Sequence, residues 1–136
     1  MKHSRILTST FLAVSVAVMA FTGCTTTQTV TSETSDREIV QLAQTAYDKG
    51  NEKLAISYYE QLIMYYGQDL SIYVEGKYEI GHIYLKQKKY TQAAECFMDV
   101  ISIYDSLPVG TLPGTFKKLS QNDLAKIPAN KLTKSN

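Results

Sequence analysis

The sequence predicts an all-α fold: two helix-turn-helix hairpins stacked as a short α-solenoid, with a short C-terminal capping helix. Three observations predict it. Over residues 38–105 apolar residues recur at spacings of three and four, helix-favouring residues dominate and proline is absent. A shift of 38 residues lays this stretch on itself. Ahead of it, residues 1–23 have the build of a cleaved export signal, and residues 24–37 form a polar, flexible tether.

In the leader, Lys2 and Arg5 give a positive start, and residues 6–21 form an uncharged, mostly apolar run. That run of 16 residues is shorter than the ~20 a spanning helix needs, although a short uncleaved anchor is the competing reading. Phe21-Thr22-Gly23-Cys24 closes the leader and resembles the bacterial lipobox, a large apolar residue and two small ones before a cysteine. Phe21 departs from the usual leucine. The resemblance implies that the Cys24 sulfur receives diacylglycerol and that cleavage frees its amine for a fatty acyl chain. Two or more chains anchor durably, since each buried CH₂ contributes about 0.8 kcal/mol. No other cofactor is implied. Thr25 stands where aspartate would resemble an inner-membrane retention signal. The protein is therefore expected to be exported and lipid-anchored, in the outer membrane facing the periplasm if the organism has two membranes. Residues 25–37 are rich in threonine and serine and lack the apolar content to pack.

The hairpins follow. Ser35 and Glu38 make a capping-box start. The 38-residue shift pairs Leu42 with Ile80, Ala43 with Gly81, Ala46 with Tyr84, Ala55 with Ala93, Tyr59 with Phe97, Leu62 with Val100, Ile63 with Ile101 and Tyr66 with Tyr104. The series 55, 59, 62, 66 and 93, 97, 100, 104 each keep one face of a helix apolar. Gly50 suits a left-handed helix stop and Asn51 a helix cap, while Lys88 replaces that glycine in the second unit and should make a less ideal turn.

On these residues the sequence resembles the tetratricopeptide repeat: Ile80-Gly81 and Tyr84 on a first helix, then Tyr90, Ala93 and Phe97 on a second. Small residues there allow close helix approach, and aromatics fill the flanks. The 38-residue spacing exceeds the usual 34 and implies an extra helical turn or a longer loop at residues 67–71. Units lengthened this way resemble those of envelope lipoproteins that assist outer-membrane barrel assembly. The resemblance also implies a concave groove lined by first-helix residues, here Arg37, Val40, Gln44, Tyr47, Glu75, Tyr78, His82 and Leu85. An ordinary exposed helix face is the competing reading. Tyr59, Tyr66, Tyr84 and Tyr104 fall on packing positions instead.

Beyond residue 105 the helix pattern breaks at Pro108, Gly110, Pro113 and Gly114. Phe116, Leu119, Leu124 and Ile127 then supply apolar anchors, with Ser120 and Asp123 as a second capping box and Pro128 as a stop. Two repeats are fewer than the three or so a free array needs. Residues 112–127 are therefore expected to fold back as a cap, with a disordered tail as the alternative.

Charge narrows the functional classes. Residues 33–105 hold seven basic and twelve acidic residues; from 106 onward five lysines face Asp123 alone. Such a body lacks the positive field that nucleic acid requires. The basic tail is either solvated, docked on the acidic body or in touch with anionic lipid. Nothing in the pattern supports catalysis: beyond the leader there is one histidine, His82, and no phosphate-binding glycine loop. Cys96 reads as a small buried thiol. The expectation is a non-enzymatic module binding a protein or peptide partner in the envelope, with the membrane reached through lipid and oligomerisation open. The alternative is an oligomeric accessory lipoprotein of a solute transport system.

Overall fold

The computed structural model describes residues 27–132; the leader, Cys24 and residues 133–136 lie outside them. Every regular element described is helical: α1 (Asp36–Asp48), α2 (Glu52–Tyr66), α3 (Leu70–Lys86), α4 (Tyr90–Ser106), α5 (Thr115–Leu124) and α6 (Ala129–Leu132). No described helix is long and apolar enough to cross a membrane. Helices α1 and α2 form the first hairpin, α3 and α4 the second, and α3 packs on α2 to stack them.

Local chemistry sets the boundaries. Ser35 Oγ accepts from the Glu38 amide at 3.3 Å and starts α1, but the expected return bond is replaced. The Glu38 carboxylate takes the Gln28 side-chain amide at 3.2 Å instead. The two interhelix turns are copies of each other. Asn51 N–H donates to the Ala46 carbonyl at 2.9 Å and Gly50 N–H to Tyr47 at 2.8 Å. Lys89 to Tyr84 at 2.9 Å and Lys88 to Leu85 at 3.0 Å repeat the pattern. Residue 50 sits at φ +74° and residue 88 at +59°, so the second unit asks a lysine for a conformation that costs an L-residue roughly 1–2 kcal/mol. Asn51 caps α2 through Leu54 N–H at 3.2 Å, whereas Lys89 gives α4 no side-chain cap. The extra residues of the long repeat are helical: α3 has 17 residues against 13 in α1, and only residues 67–69 link it to α2.

Two apolar clusters form the core. One gathers Ile39, Ala43, Ala55, Tyr59, Leu62, Ile80 and Ile83; the other gathers Val74, Tyr78, Ala93, Phe97, Val100 and Ile127. Tyr84 touches both. At Gly81 an added Cβ would lie 2.8 Å from Cys96 Cβ and from the Phe97 ring, so a bare backbone is what lets α3 meet α4. Of the four tyrosines assigned to packing, Tyr59 is buried. Tyr66, Tyr84 and Tyr104 are half-buried, because Tyr66 and Tyr104 turn their hydroxyls outward to the Thr34 and Pro113 carbonyls, each at 2.7 Å.

Three expectations change. The tether's inner part is seated, not free: Val30 is buried against the first cluster, Tyr58 Oη donates to the Gln28 carbonyl at 2.9 Å, and Asp36 and Arg37 belong to α1. The second capping box does not form. Helix α5 begins at Thr115 behind Gly114, which leaves Ser120 inside the helix and Asp123 in its last turn, both buried. Leu119, expected as an apolar anchor, is exposed. Residues 112–127 do fold back, with Leu112, Phe116, Leu124 and Ile127 packed on the second cluster, so α5 caps the array by resting on α4 and α3.

Candidate functional site: the face shared by α1 and α3

The eight first-helix residues expected to line a groove separate into three groups. Arg37 is exposed, while Val40 and Leu85 are half-buried and pack on the two core clusters. Tyr78 is withdrawn from the surface at 7 % exposure. Its ring lies against Phe116 and Phe97, with centroids 5.6 and 6.0 Å apart, and its hydroxyl donates to Asp123 Oδ2 at 3.1 Å. That is a correction with a simple cause: the cap occupies the face Tyr78 was expected to offer. Gln44, Tyr47 and His82 do come together, and Glu75 lies half-buried two turns before His82 on α3.

Between the hairpins Gln44, Tyr47 and Asp48 of α1, Tyr59 of α2, and Glu79, His82 and Ile83 of α3 surround a slot of about 80 Å³. One water needs roughly 10–15 Å³ by the same measure, so the slot admits the end of a side chain. Its electrostatics are one-sided. Burial pushes the Glu79 carboxyl above its usual range, and Glu75 and Asp123 add to this against the opposing pull of His82. Burial, then Asp36, likewise raises Glu75. The Tyr59 hydroxyl is pushed up by burial and by Glu79, Glu75 and Asp48, so three carboxylates act on one phenol.

Next to the slot, the cap is fastened by charge. Asp123, 3 % exposed, accepts from Tyr78 Oη and lies 2.7 Å from His82 Nδ1, with Lys126 on its other oxygen. Burial alone would raise this carboxyl; bonds from Lys126, His82 and Tyr78 outweigh it and hold the group below the usual range. Since the ionised carboxylate only accepts, His82 carries its proton on Nδ1. On the opposite flank of α3, Lys77 pairs with Asp99 at 3.2 Å. Cys96 is buried, and burial raises its thiol away from the nucleophilic form. No group of three His, Cys, Asp or Glu side chains among the described residues is arranged to hold a metal ion.

Sequence reasoning missed Glu79, Tyr59 as a slot residue and Asp123. Glu75, Glu79 and His82 step by four and three, which puts them on one helix face; that spacing was the available signal.

The family model for the tetratricopeptide repeat matches residues 39–69 and 74–106, the two hairpins. The two hairpins are tetratricopeptide repeats. Repeats of this family serve as protein-interaction modules, and these place their first helices, α1 and α3, around the slot. An uncharacterized protein of Treponema pallidum (strain Nichols) is 28 % identical over 90 residues, covering 66 % of this chain. The alignment spans 36 % of that protein, about a third of its length. No solved structure matches the chain.

Proposed function

We propose that the protein is a membrane-anchored interaction module of the bacterial cell envelope, holding a segment of a partner polypeptide where its two tetratricopeptide repeats meet. The observation that carries this reading is the open slot between α1 and α3, with Gln44 exposed at its rim and Tyr47 half-buried in its wall. Tyrosine offers contact area and a polar tip at small entropic cost, which suits peptide recognition. The withdrawal of Tyr78 and the seating of α5 confine the contact surface to the α1 side of α3. The anchor is the lipidated Cys24, which the lipobox-like run before it supports.

A photo-crosslinking residue placed at Gln44 in growing cells should give a discrete polypeptide adduct, and the same residue at exposed Glu95 on α4 should not. Equal adducts at both positions, or none at Gln44, would sink the groove reading. Cys24→Ser should move the protein from the membrane fraction to the soluble one; retention in membranes would remove the lipid anchor from the proposal.

A further inference from the structure

Of the three fully buried tyrosines, Tyr58, Tyr59 and Tyr78, only Tyr59 has a hydroxyl without a bond among the described residues. The hydroxyls of Tyr58, Tyr66, Tyr73, Tyr78 and Tyr104 all donate to a named acceptor. Tyr59 is 2 % exposed, lines the slot, and its hydroxyl has no hydrogen-bond partner among the described residues. Because Tyr59 lines the slot, a polar group entering there can bond its hydroxyl in place of water.

Beside it, the Glu79 side chain is half-buried, and no described salt bridge neutralises it or Glu75. Of the lysines on α3 and beyond α5, Lys77 pairs with Asp99 and Lys126 with Asp123. The phenol can donate or accept, but the Glu79 carboxylate only accepts, so a visitor that serves both donates hydrogen bonds and offsets the charge by being positive. An anion would meet Asp48, Glu75 and Glu79, and a neutral donor would complete Tyr59 but leave the carboxylate uncompensated. An ammonium or guanidinium group has donors only, and the phenol oxygen and the carboxylate both accept.

We propose that the slot receives the cationic head of one lysine or arginine side chain of the partner polypeptide, bound between Tyr59 Oη and the Glu79 carboxylate beside Tyr47. The proposal rests on the groove reading above and adds the chemistry of the partner. The wall ring of Tyr47 contributes further attraction where the cation loses water. Glu75 and Asp48 supply the longer-range field that draws a basic segment toward the face.

The test is an amide NMR titration of the full chain, held in uncharged detergent micelles at about 0.15 M salt, with hexalysine, hexaarginine, hexaglutamine and hexaglutamate peptides. Hexalysine and hexaarginine should move the Tyr47, Tyr59, Glu79 and Ile83 amides first, and hexaglutamate should leave them in place. Glu79→Gln should weaken hexalysine about tenfold and Glu60→Gln, on the exposed face of α2, less than about twofold. Gln44→Lys, at an exposed rim position that the fold tolerates, should block hexalysine by supplying a cation of its own. Equal losses from Glu79→Gln and Glu60→Gln would reduce the effect to unspecific charge and overturn the proposal. Hexaglutamine binding at the same amides, indifferent to Glu79→Gln, would overturn the cationic assignment and leave the groove reading standing. Slot amides that respond to none of the four peptides would overturn the assignment, and the Gln44 crosslink would then decide whether the groove reading falls with it.

Discussion

At the outer end of the first repeat, an extended segment is held by neutral bonds: Tyr58 and Tyr66 donate their hydroxyls to the Gln28 and Thr34 carbonyls while Val30 enters the core. At the outer end of the second, a whole helix is seated around an ionised carboxylate, Asp123, that three side chains supply with protons. Both ends solve the same problem, since a repeat array leaves apolar surface bare where the next unit would stack. The first solution buries no charge, since its one carboxylate, Glu38, meets the Gln28 amide at the exposed surface. The second combines more buried apolar surface with a charge that must stay ionised, which makes that end the pH-sensitive one.

The comparison breaks most easily under the second seal. Phe97, fully buried below Tyr78 and the cap, should cost about 3–5 kcal/mol as Phe97→Ala in denaturant unfolding. A loss within the roughly 0.5 kcal/mol of a surface change would mean that the cap does not rest on a packed ring. Asp123→Ala should cost about 1.5–3 kcal/mol near pH 7, through the charge-assisted bonds it removes.

That cost carries a pH signature. The Asp123 carboxyl is held below its unfolded value, so its contribution is complete above about pH 4 and fades as pH falls through the folded value. The facing groups are Tyr78, Glu79 and His82 of α3 and Lys126 beyond α5. Wild type and Asp123→Ala should therefore converge in stability at low pH, and a gap unchanged down to pH 3 would contradict the role of the charge.

Smaller effects sharpen the other side. Tyr58→Phe should cost about 0.5–1.5 kcal/mol at pH 4 and pH 8 alike, because the Gln28 carbonyl it meets carries no charge. A marked pH dependence would show that the first end also hides a charge. Smallest is a gain: Lys88→Gly should stabilise the second turn by about 0.5–1 kcal/mol, since glycine already serves the equivalent position at residue 50. No gain would mean that the second turn carries no strain.

The repeats were legible because their packing is periodic. Gly81, Ala93 and Phe97 mark a close helix crossing through residue size alone, and the copied turns follow from a shift that any apolar pattern reveals. The ends were less legible because they depend on pairings across 30 or more residues, such as Tyr58 with Gln28 or His82 with Asp123. Ser120 and Asp123 have the spacing of a helix start, but Gly114 begins the helix earlier and turns both inward. Val30 stands almost alone among threonines and serines, so composition marked its segment as unable to pack; one well-placed valine and two carbonyls were enough. In the slot, Gln44 and Tyr47 followed from the first-helix face, whereas Tyr59 looked like core and is core except for its oxygen.

The seated N-terminal segment also has a mechanical meaning. Any pull on the chain ahead of residue 28 reaches two phenol-to-carbonyl bonds and one buried valine before it reaches a helix. Bonds arranged in sequence along a pulled strand open one at a time. Releasing residues 28–34 would pay out about 25 Å of slack at ~3.3–3.6 Å per residue, with both repeats still folded. The seated strand thus stores reach that the repeats could yield without unfolding.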